Sequence, residues 1–209
     1  MSARLKPQQF QQQTNVSRET LQALETYEGL LRKWQKSINL VSKSTLEDIW
    51  RRHFLDSAQL APILRQFAPE DAQCVDMGAG AGFPGLVLAA MVCGQWTLIE
   101  SDSRKGVFLS EVVRQCGISA TIRVERVEGV SDMQADIVTA RAFASLDKLL
   151  AYATPLMKPG AVCLFPKGRR FAEEVAIARD EGWQFDLREL ASNSDDEGKI
   201  LLLEGVVRA

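Results

Sequence analysis

Between residues 75 and 85 the chain reads Val75-Asp76-Met77-Gly78-Ala79-Gly80-Ala81-Gly82-Phe83-Pro84-Gly85. An apolar run suited to a strand leads into this segment, and an apolar stretch suited to a helix leaves it. Glycines let the backbone turn tightly and let a ligand approach closely. Pro84 suits the first turn of a helix. A strand, a glycine turn and a helix in that order predict an α/β chain with a nucleotide-like ligand at the carboxyl end of the strand.

The rest of the pattern agrees. Short apolar runs suggest strands at Gln73–Met77, Trp96–Glu100, Ala120–Val124, Ile137–Thr139, Ala161–Phe165, Gln184–Leu190 and Leu201–Val207. Helical stretches fall at Phe83–Val92, Arg104–Gln115, Ser145–Met157 and Arg170–Glu181. This alternation predicts a parallel sheet covered on both faces. The last two strands have only the polar, acidic Ser192–Lys199 between them, which suits a hairpin loop. Before residue 70 nothing resembles a strand. Leu21, Leu24, Tyr27, Leu31 and Trp34 recur at helical spacing behind Ser17 as N-cap. Ser44-Thr45-Leu46-Glu47 has the spacing of a capping box, and a third helix over Ser57–Gln66 is disturbed by Pro62. The polar start, Met1 to Gln13, reads as a frayed tail. The expectation is a Rossmann-like α/β unit over 71–209, with a mostly parallel seven-stranded sheet and a C-terminal hairpin. An N-terminal helical extension covers 1–70.

Two acidic residues bear on the ligand. Gly80-x-Gly82-x-x-Gly85 is a literal dinucleotide fingerprint, but alone it is weak support for NAD or FAD. Asp76 stands two residues before the first glycine, where a carboxylate repels a pyrophosphate. S-adenosylmethionine has no phosphate and carries a sulfonium and an ammonium, so an adjacent carboxylate suits it. The alternative for Asp76 is a strand-end cap on the glycine turn. Glu100, ending the second strand, is placed to accept both hydroxyls of a ribose, a feature common to both cofactor types. Asp76, Glu100 and the glycine loop with Gly78, Gly80 and Gly82 therefore make up the candidate cofactor pocket.

A length of 209 residues fits one domain with a modest extension. No apolar run approaches the ~20 residues of a membrane span, and the start lacks a signal-peptide core, so a cytoplasmic protein with no membrane partner is expected. Cys74, Cys93, Cys116 and Cys163 form no C-x-x-C pair and read as reduced thiols, with no metal site. A net charge of −2 argues against a general nucleic-acid coat protein and leaves room for one local basic face.

Several segments beyond the glycine loop are more specific. They are Lys33-Trp34-Gln35-Lys36-Ser37-Ile38-Asn39-Leu40, Arg52-His53-Phe54-Leu55-Asp56-Ser57, Glu100-Ser101-Asp102-Ser103-Arg104-Lys105, Arg126-Val127-Glu128 and Arg141-Ala142-Phe143-Ala144-Ser145-Leu146. In these the sequence resembles the 16S ribosomal RNA guanine-N7 methyltransferase G family, also called glucose-inhibited division protein B, from about Leu30 to Lys167. The resemblance implies the class I S-adenosylmethionine-dependent methyltransferase fold. It also implies cofactor contacts at Gly78, Phe83, Val127, Glu128 and Arg141. As substrate it implies 16S ribosomal RNA or an assembling small subunit, methylated at a guanine of the conserved loop near the decoding site. Met77 and Ala79 depart mildly from the family pattern, as does Gly106, which should weaken its helix by about 0.5–1 kcal/mol.

Guanine N7 has an in-plane lone pair and no hydrogen, so its methylation needs no general base. The one histidine, His53, accordingly reads as packed or hydrogen-bonded, with a role in holding RNA as the alternative. Arg141, after the fourth strand, is the candidate catalytic residue, aligning donor and acceptor. Lys33, Lys36, Arg51, Arg52, Arg104, Lys105, Lys167, Arg169 and Arg170 are candidate RNA contacts, with Lys167 and Arg169 singled out. The rival readings are a methyltransferase of small molecules or proteins, a nucleotide-binding oxidoreductase, and a non-catalytic cofactor-binding module. Oligomeric state is left open.

Overall fold

A computed structural model describes residues 4–67, 69–92 and 94–209. Its strands are β1 (Gln73–Met77), β2 (Gln95–Glu100), β3 (Ala120–Val124), β4 (Ala135–Thr139), β5 (Met157–Lys167), β6 (Trp183–Ala191) and β7 (Lys199–Arg208). They form one sheet in the order β3-β2-β1-β4-β5-β7-β6. The first five strands run parallel, and β7 lies antiparallel between β5 and β6. Strand order reverses at β1 and β4. Helices leave these two strands on opposite faces of the sheet, so a crevice opens at their carboxyl ends.

The helices are α1 (Pro7–Thr14), α2 (Arg18–Trp34), α3 (Lys43–Leu46), α4 (Asp56–Ala58), α5 (Ala61–Phe67), α6 (Gly85–Met91), α7 (Ser103–Cys116), α8 (Leu146–Ala153) and α9 (Phe171–Asp180). A π-helical stretch, Trp50–Leu55, runs directly into α4. Alternation along the strands sorts the core into two layers. Cys74, Leu98, Ile137, Val162 and Leu164 pack with α6, α7 and the N-terminal helices. Val75, Met77, Ile99, Val138, Cys163 and Phe165 pack with α8 and α9. Leu24, Tyr27 and Leu31 of α2 are fully buried in the first layer, so the extension and the sheet share one core.

Three of four local expectations are corrected. The polar start is ordered from residue 4: α1 forms, the Lys6 amide donates to Gln9 Oε1 at 2.9 Å, and buried Phe10 packs 5.2 Å from the Trp50 ring. Residues 1–3 of that segment lie outside the described residues. The cap of α3 is Ser42, not Ser44: its hydroxyl accepts from the Thr45 amide. The stretch expected as one helix over Ser57–Gln66 is broken after Ala58, and Pro62 follows that break in the first turn of α5, where a missing amide hydrogen costs no bond. Gly106 is a packing requirement: a Cβ there would stand 2.5 Å from Val124 Cγ2, so glycine lets α7 lie close on β3.

Cys74, Cys116 and Cys163 are free thiols, and burial pushes the first two up to about 12 and about 11. Cys93 lies outside the described residues. Among the described residues no helix is long and apolar enough to cross a membrane, and no group of three or more His, Cys, Asp or Glu could hold a metal ion.

Candidate functional site

The crevice is built from the glycine turn upward. Gly78, Gly80 and Gly82 all adopt positive φ, which side-chain-bearing residues rarely do. At Gly78 a Cβ would also strike the Phe143 ring at 2.3 Å. Four of the turn's amides are spent internally. Ala79 donates to Ile99 O, Gly80 to Glu100 Oε2 at 2.8 Å, Gly82 to Ala79 O, and Gly85 to Asp76 Oδ2 at 3.0 Å. A pyrophosphate site needs such amides free and pointing outward. This turn has committed two of them to carboxylates, which disfavours a dinucleotide more firmly than charge alone.

Asp76 is 1% exposed and lies beneath the crevice, not in its lining. Thr139 Oγ1 donates to its Oδ1 at 2.8 Å while Gly85 serves Oδ2, so it caps the turn from below. Burial raises its carboxyl to about 7, partly offset by the bonds from Thr139 and Gly85 and by the Arg141 charge. The expectation that Asp76 faces a cofactor cation is corrected on this geometry: the strand-end cap, the alternative reading, describes it. Gly82 is likewise buried beneath the crevice, against the Tyr27 hydroxyl and Leu86. That hydroxyl donates to Ala81 O, tying α2 to the turn.

Gly78, Gly80, Phe83, Glu100, Val127, Glu128 and Arg141 do come together, around a cleft of about 1040 Å³. Glu100 accepts the Gly80 amide on one oxygen and the Asp102 amide, also at 2.8 Å, on the other. Each carboxylate oxygen has a second lone pair, so two acceptors remain for a diol. Val127 and Glu128 lie in a 3₁₀ turn after β3, the first buried and the second exposed. The two acceptors, the glycine backbone and the apolar wall at Val127 fit an adenosine.

At the other end of the cleft stands Arg141. It donates to Asp56 Oδ2 at 2.8 Å, to the Arg52 carbonyl at 3.1 Å and to His53 Nδ1 at 2.7 Å. Its guanidinium also lies 5.2 Å from the centre of the Phe83 ring. The strand-end arginine thus grips the π-helical stretch, a backbone form often found at functional sites. A guanidinium can only donate. His53 Nδ1 is therefore the acceptor, and its proton is on Nε2, 2.8 Å from Thr45 Oγ1. Burial, with the charges of Arg141 and Arg52, lowers His53 to about 3, so it is neutral near pH 7. This agrees with the packed, hydrogen-bonded histidine expected from the sequence.

Asp56 was not singled out from sequence, yet it is the hub. Besides Arg141 it accepts from Ser194 Oγ and, at 3.1 Å, from Gln59 Nε2. Gln59 Oε1 in turn accepts the Asn193 amide at 2.6 Å. The Ser192–Lys199 stretch, read as a plain hairpin loop, is docked on the N-terminal helices beside the cleft.

The family model GidB, described as rRNA small subunit methyltransferase G, matches residues 20–198. The chain belongs to that family. It is 50% identical over 198 residues to the "Ribosomal RNA small subunit methyltransferase G" of Rhodospirillum centenum, with 94% of this chain and 89% of that one covered. With the protein of the same name from Parvibaculum lavamentivorans it shares 48% over 204 residues, covering 94% and 88%. In fold it is similar to a TehB-like SAM-dependent methyltransferase from Corynebacterium glutamicum (TM-score 0.57, 14% identity, 86% of this chain and 96% of that chain). It is also similar to a mutant of MtNAS in complex with S-adenosylmethionine (TM-score 0.62, 11% identity, 96% and 84%). At those identities the likeness is one of fold, the class I methyltransferase fold.

In this methyltransferase G family member the cations are unevenly committed. Lys167 was expected to meet RNA, but its side chain is 8% exposed and its ammonium is bonded to Glu174 at 2.6 Å and to the Ala144 carbonyl at 2.8 Å. Arg52, Arg104 and Arg170 are paired with Asp195, Asp102 and Glu173. Lys105 lines the cleft and Arg169 is exposed, neither with an ion pair among the described residues. Lys148 and Lys199, overlooked in the sequence because no motif contains them, also line the cleft, with no ion pair among the described residues.

Proposed function

We propose that this chain transfers a methyl group from S-adenosylmethionine to N7 of a guanine in 16S ribosomal RNA. On the family resemblance that guanine lies in the conserved loop near the decoding site. Free RNA and an assembling small subunit are the two forms in which the substrate can be presented. When bound, S-adenosylmethionine supplies an electrophilic methyl on a positively charged sulfur. Glu100 holds the ribose hydroxyls, the Gly78–Gly80 backbone flanks the ligand, and Val127 with Glu128 borders the base. Arg141, held on three sides, marks the end of the cleft where donor and acceptor meet, and its part is alignment. Fixing reacting groups in line is worth about 7–11 kcal/mol in well-oriented systems.

The observation that carries the choice of N7 is the state of His53. Its Nδ1 lone pair already takes a proton donor from Arg141, and its acidity leaves it neutral down to about pH 3. The imidazole is thus no base near neutral pH. An exocyclic amino or hydroxyl acceptor must shed a proton during methylation, whereas N7 has none to shed. The experiment is to map N7-methylguanine in small-subunit RNA incubated with the purified protein and S-adenosylmethionine. One new N7-methylguanine is expected. A methyl group on any other atom, or none, overturns the proposal.

A further inference from the structure

Phe143 is the only aromatic among the large apolar side chains that remain exposed in the described residues, at 39%. It stands two residues beyond Arg141 and lines the cleft. Its ring lies so close on Gly78 that no larger residue fits there, and the Tyr152 ring supports it from 5.8 Å. The preceding residue, Ala142, has φ of +51°. An alanine held in the left-handed region is strained, and such strain marks positions where the surroundings over-determine a side chain's aim. An exposed, costly and firmly seated aromatic beside two cleft lysines without ion pairs among the described residues, Lys148 and Lys199, is the arrangement that receives an unstacked nucleotide. Bases drawn out of RNA structure stack on aromatic rings, and lysines hold the flanking phosphates.

We propose that Phe143 is the platform on which the acceptor guanine stacks, with Lys148 and Lys199 gripping the adjoining backbone. Stacking would fix the plane of the base, and so the direction of the in-plane N7 lone pair. The proposal rests on the guanine-N7 reading above and adds a residue to it. It asks nothing of Arg141 or Glu100.

The test uses the full chain saturated with S-adenosylhomocysteine, so that binding is read without turnover. Two RNA fragments are compared by fluorescence anisotropy: one with the mapped guanine, one abasic at that position. Wild type should bind the guanine RNA roughly ten-fold more tightly, the scale of one base–aromatic stack. Phe143→Leu should bind both alike, and Phe143→Gln, polar at an exposed position, should do the same. Phe143→Trp should keep the ten-fold preference. If both the Leu and Gln variants keep the full preference, or wild type shows none, the platform is overturned. Mapping of the methyl group separates the two proposals. Loss of N7 methylation by wild type removes both. Intact N7 methylation with the preference unchanged in both the Leu and Gln variants removes the platform alone.

Discussion

The Arg141 guanidinium donates to His53 Nδ1 at 2.7 Å, locking an imidazole of the N-terminal extension to the end of β4. Burial of that imidazole, together with the Arg141 and Arg52 charges, has a consequence in pH. An unfolded histidine takes a proton below about 6.5, whereas this one, folded, waits until about 3. Between those values the unfolded chain holds the extra proton. The stability contributed by His53 is therefore complete above about 6.5 and lost as pH falls, by about 2 kcal/mol at pH 5. His53→Gln offers Arg141 a carbonyl acceptor that does not titrate. Its Tm should fall less than that of wild type between pH 7 and 5, and its single-turnover methylation rate should stay within about ten-fold. Parallel melting curves would mean that His53 is not the buried neutral group described.

Asp76 and Glu100 should separate cleanly. Asp76, raised to about 7 by burial, holds its proton when folded at pH values where the unfolded residue has lost it. Its contribution is complete below about 3.8 and lost as pH rises through about 7. Asp76→Asn should therefore gain Tm relative to wild type between pH 4 and 8, while cofactor affinity by calorimetry barely changes. Glu100→Ala should weaken that affinity by ~1–3 kcal/mol, since it removes the proposed diol acceptor and frees the Gly80 amide. Equal losses of affinity in the two variants would put Asp76 back among the cofactor ligands.

Asp56→Ala removes the carboxylate that Arg141, Ser194 and Gln59 share. Urea unfolding should show a loss of about 1–3 kcal/mol, the cost of stranding partly buried donors. Single-turnover methylation should fall further than RNA affinity does, because alignment is lost rather than attraction. A variant that loses RNA affinity alone would make Asp56 part of the RNA surface instead.

Charge reversal distinguishes the two kinds of lysine at the cleft. Lys148→Glu and Lys199→Glu should weaken RNA binding and flatten its salt dependence by about 0.7–0.9 log units per log unit of salt for each phosphate that is no longer neutralised. Lys167→Glu should instead lower Tm, because it sets a carboxylate against Glu174 in a site that is nearly closed. Salt slopes measured on the three variants decide between these outcomes.

Local chemistry was legible wherever the determining residues are neighbours. Strands β1 and β3 fall on the residues their apolar runs predicted, and the glycine turn leads to the cleft. Helix α1 was hidden because five glutamines between residues 8 and 13 mask the apolar pair Leu5 and Phe10 that anchors it. Asp76 was misplaced because a sequence gives a strand-end side chain's position but not which way it faces. Lys167 looked free because Glu174, its partner, belongs to the following helix and presents no motif. Asp56 carried no signal of its role, since its partners Arg141 and Ser194 are 85 and 138 residues away.

Those separations also bear on how the chain matures during synthesis. Asp56 emerges from the ribosome early and Ser194 near the end, and the hub that immobilises Arg141 closes only when both are present. Contacts between distant parts of a chain form late, after the loop joining them has been closed at an entropic cost. The parallel strands β1 to β5 and the glycine turn can be in place while Arg141 is still only partly held. A nascent chain would then acquire a cofactor pocket before it acquires a finished acceptor site, and translation itself would delay its activity until the last hairpin docks.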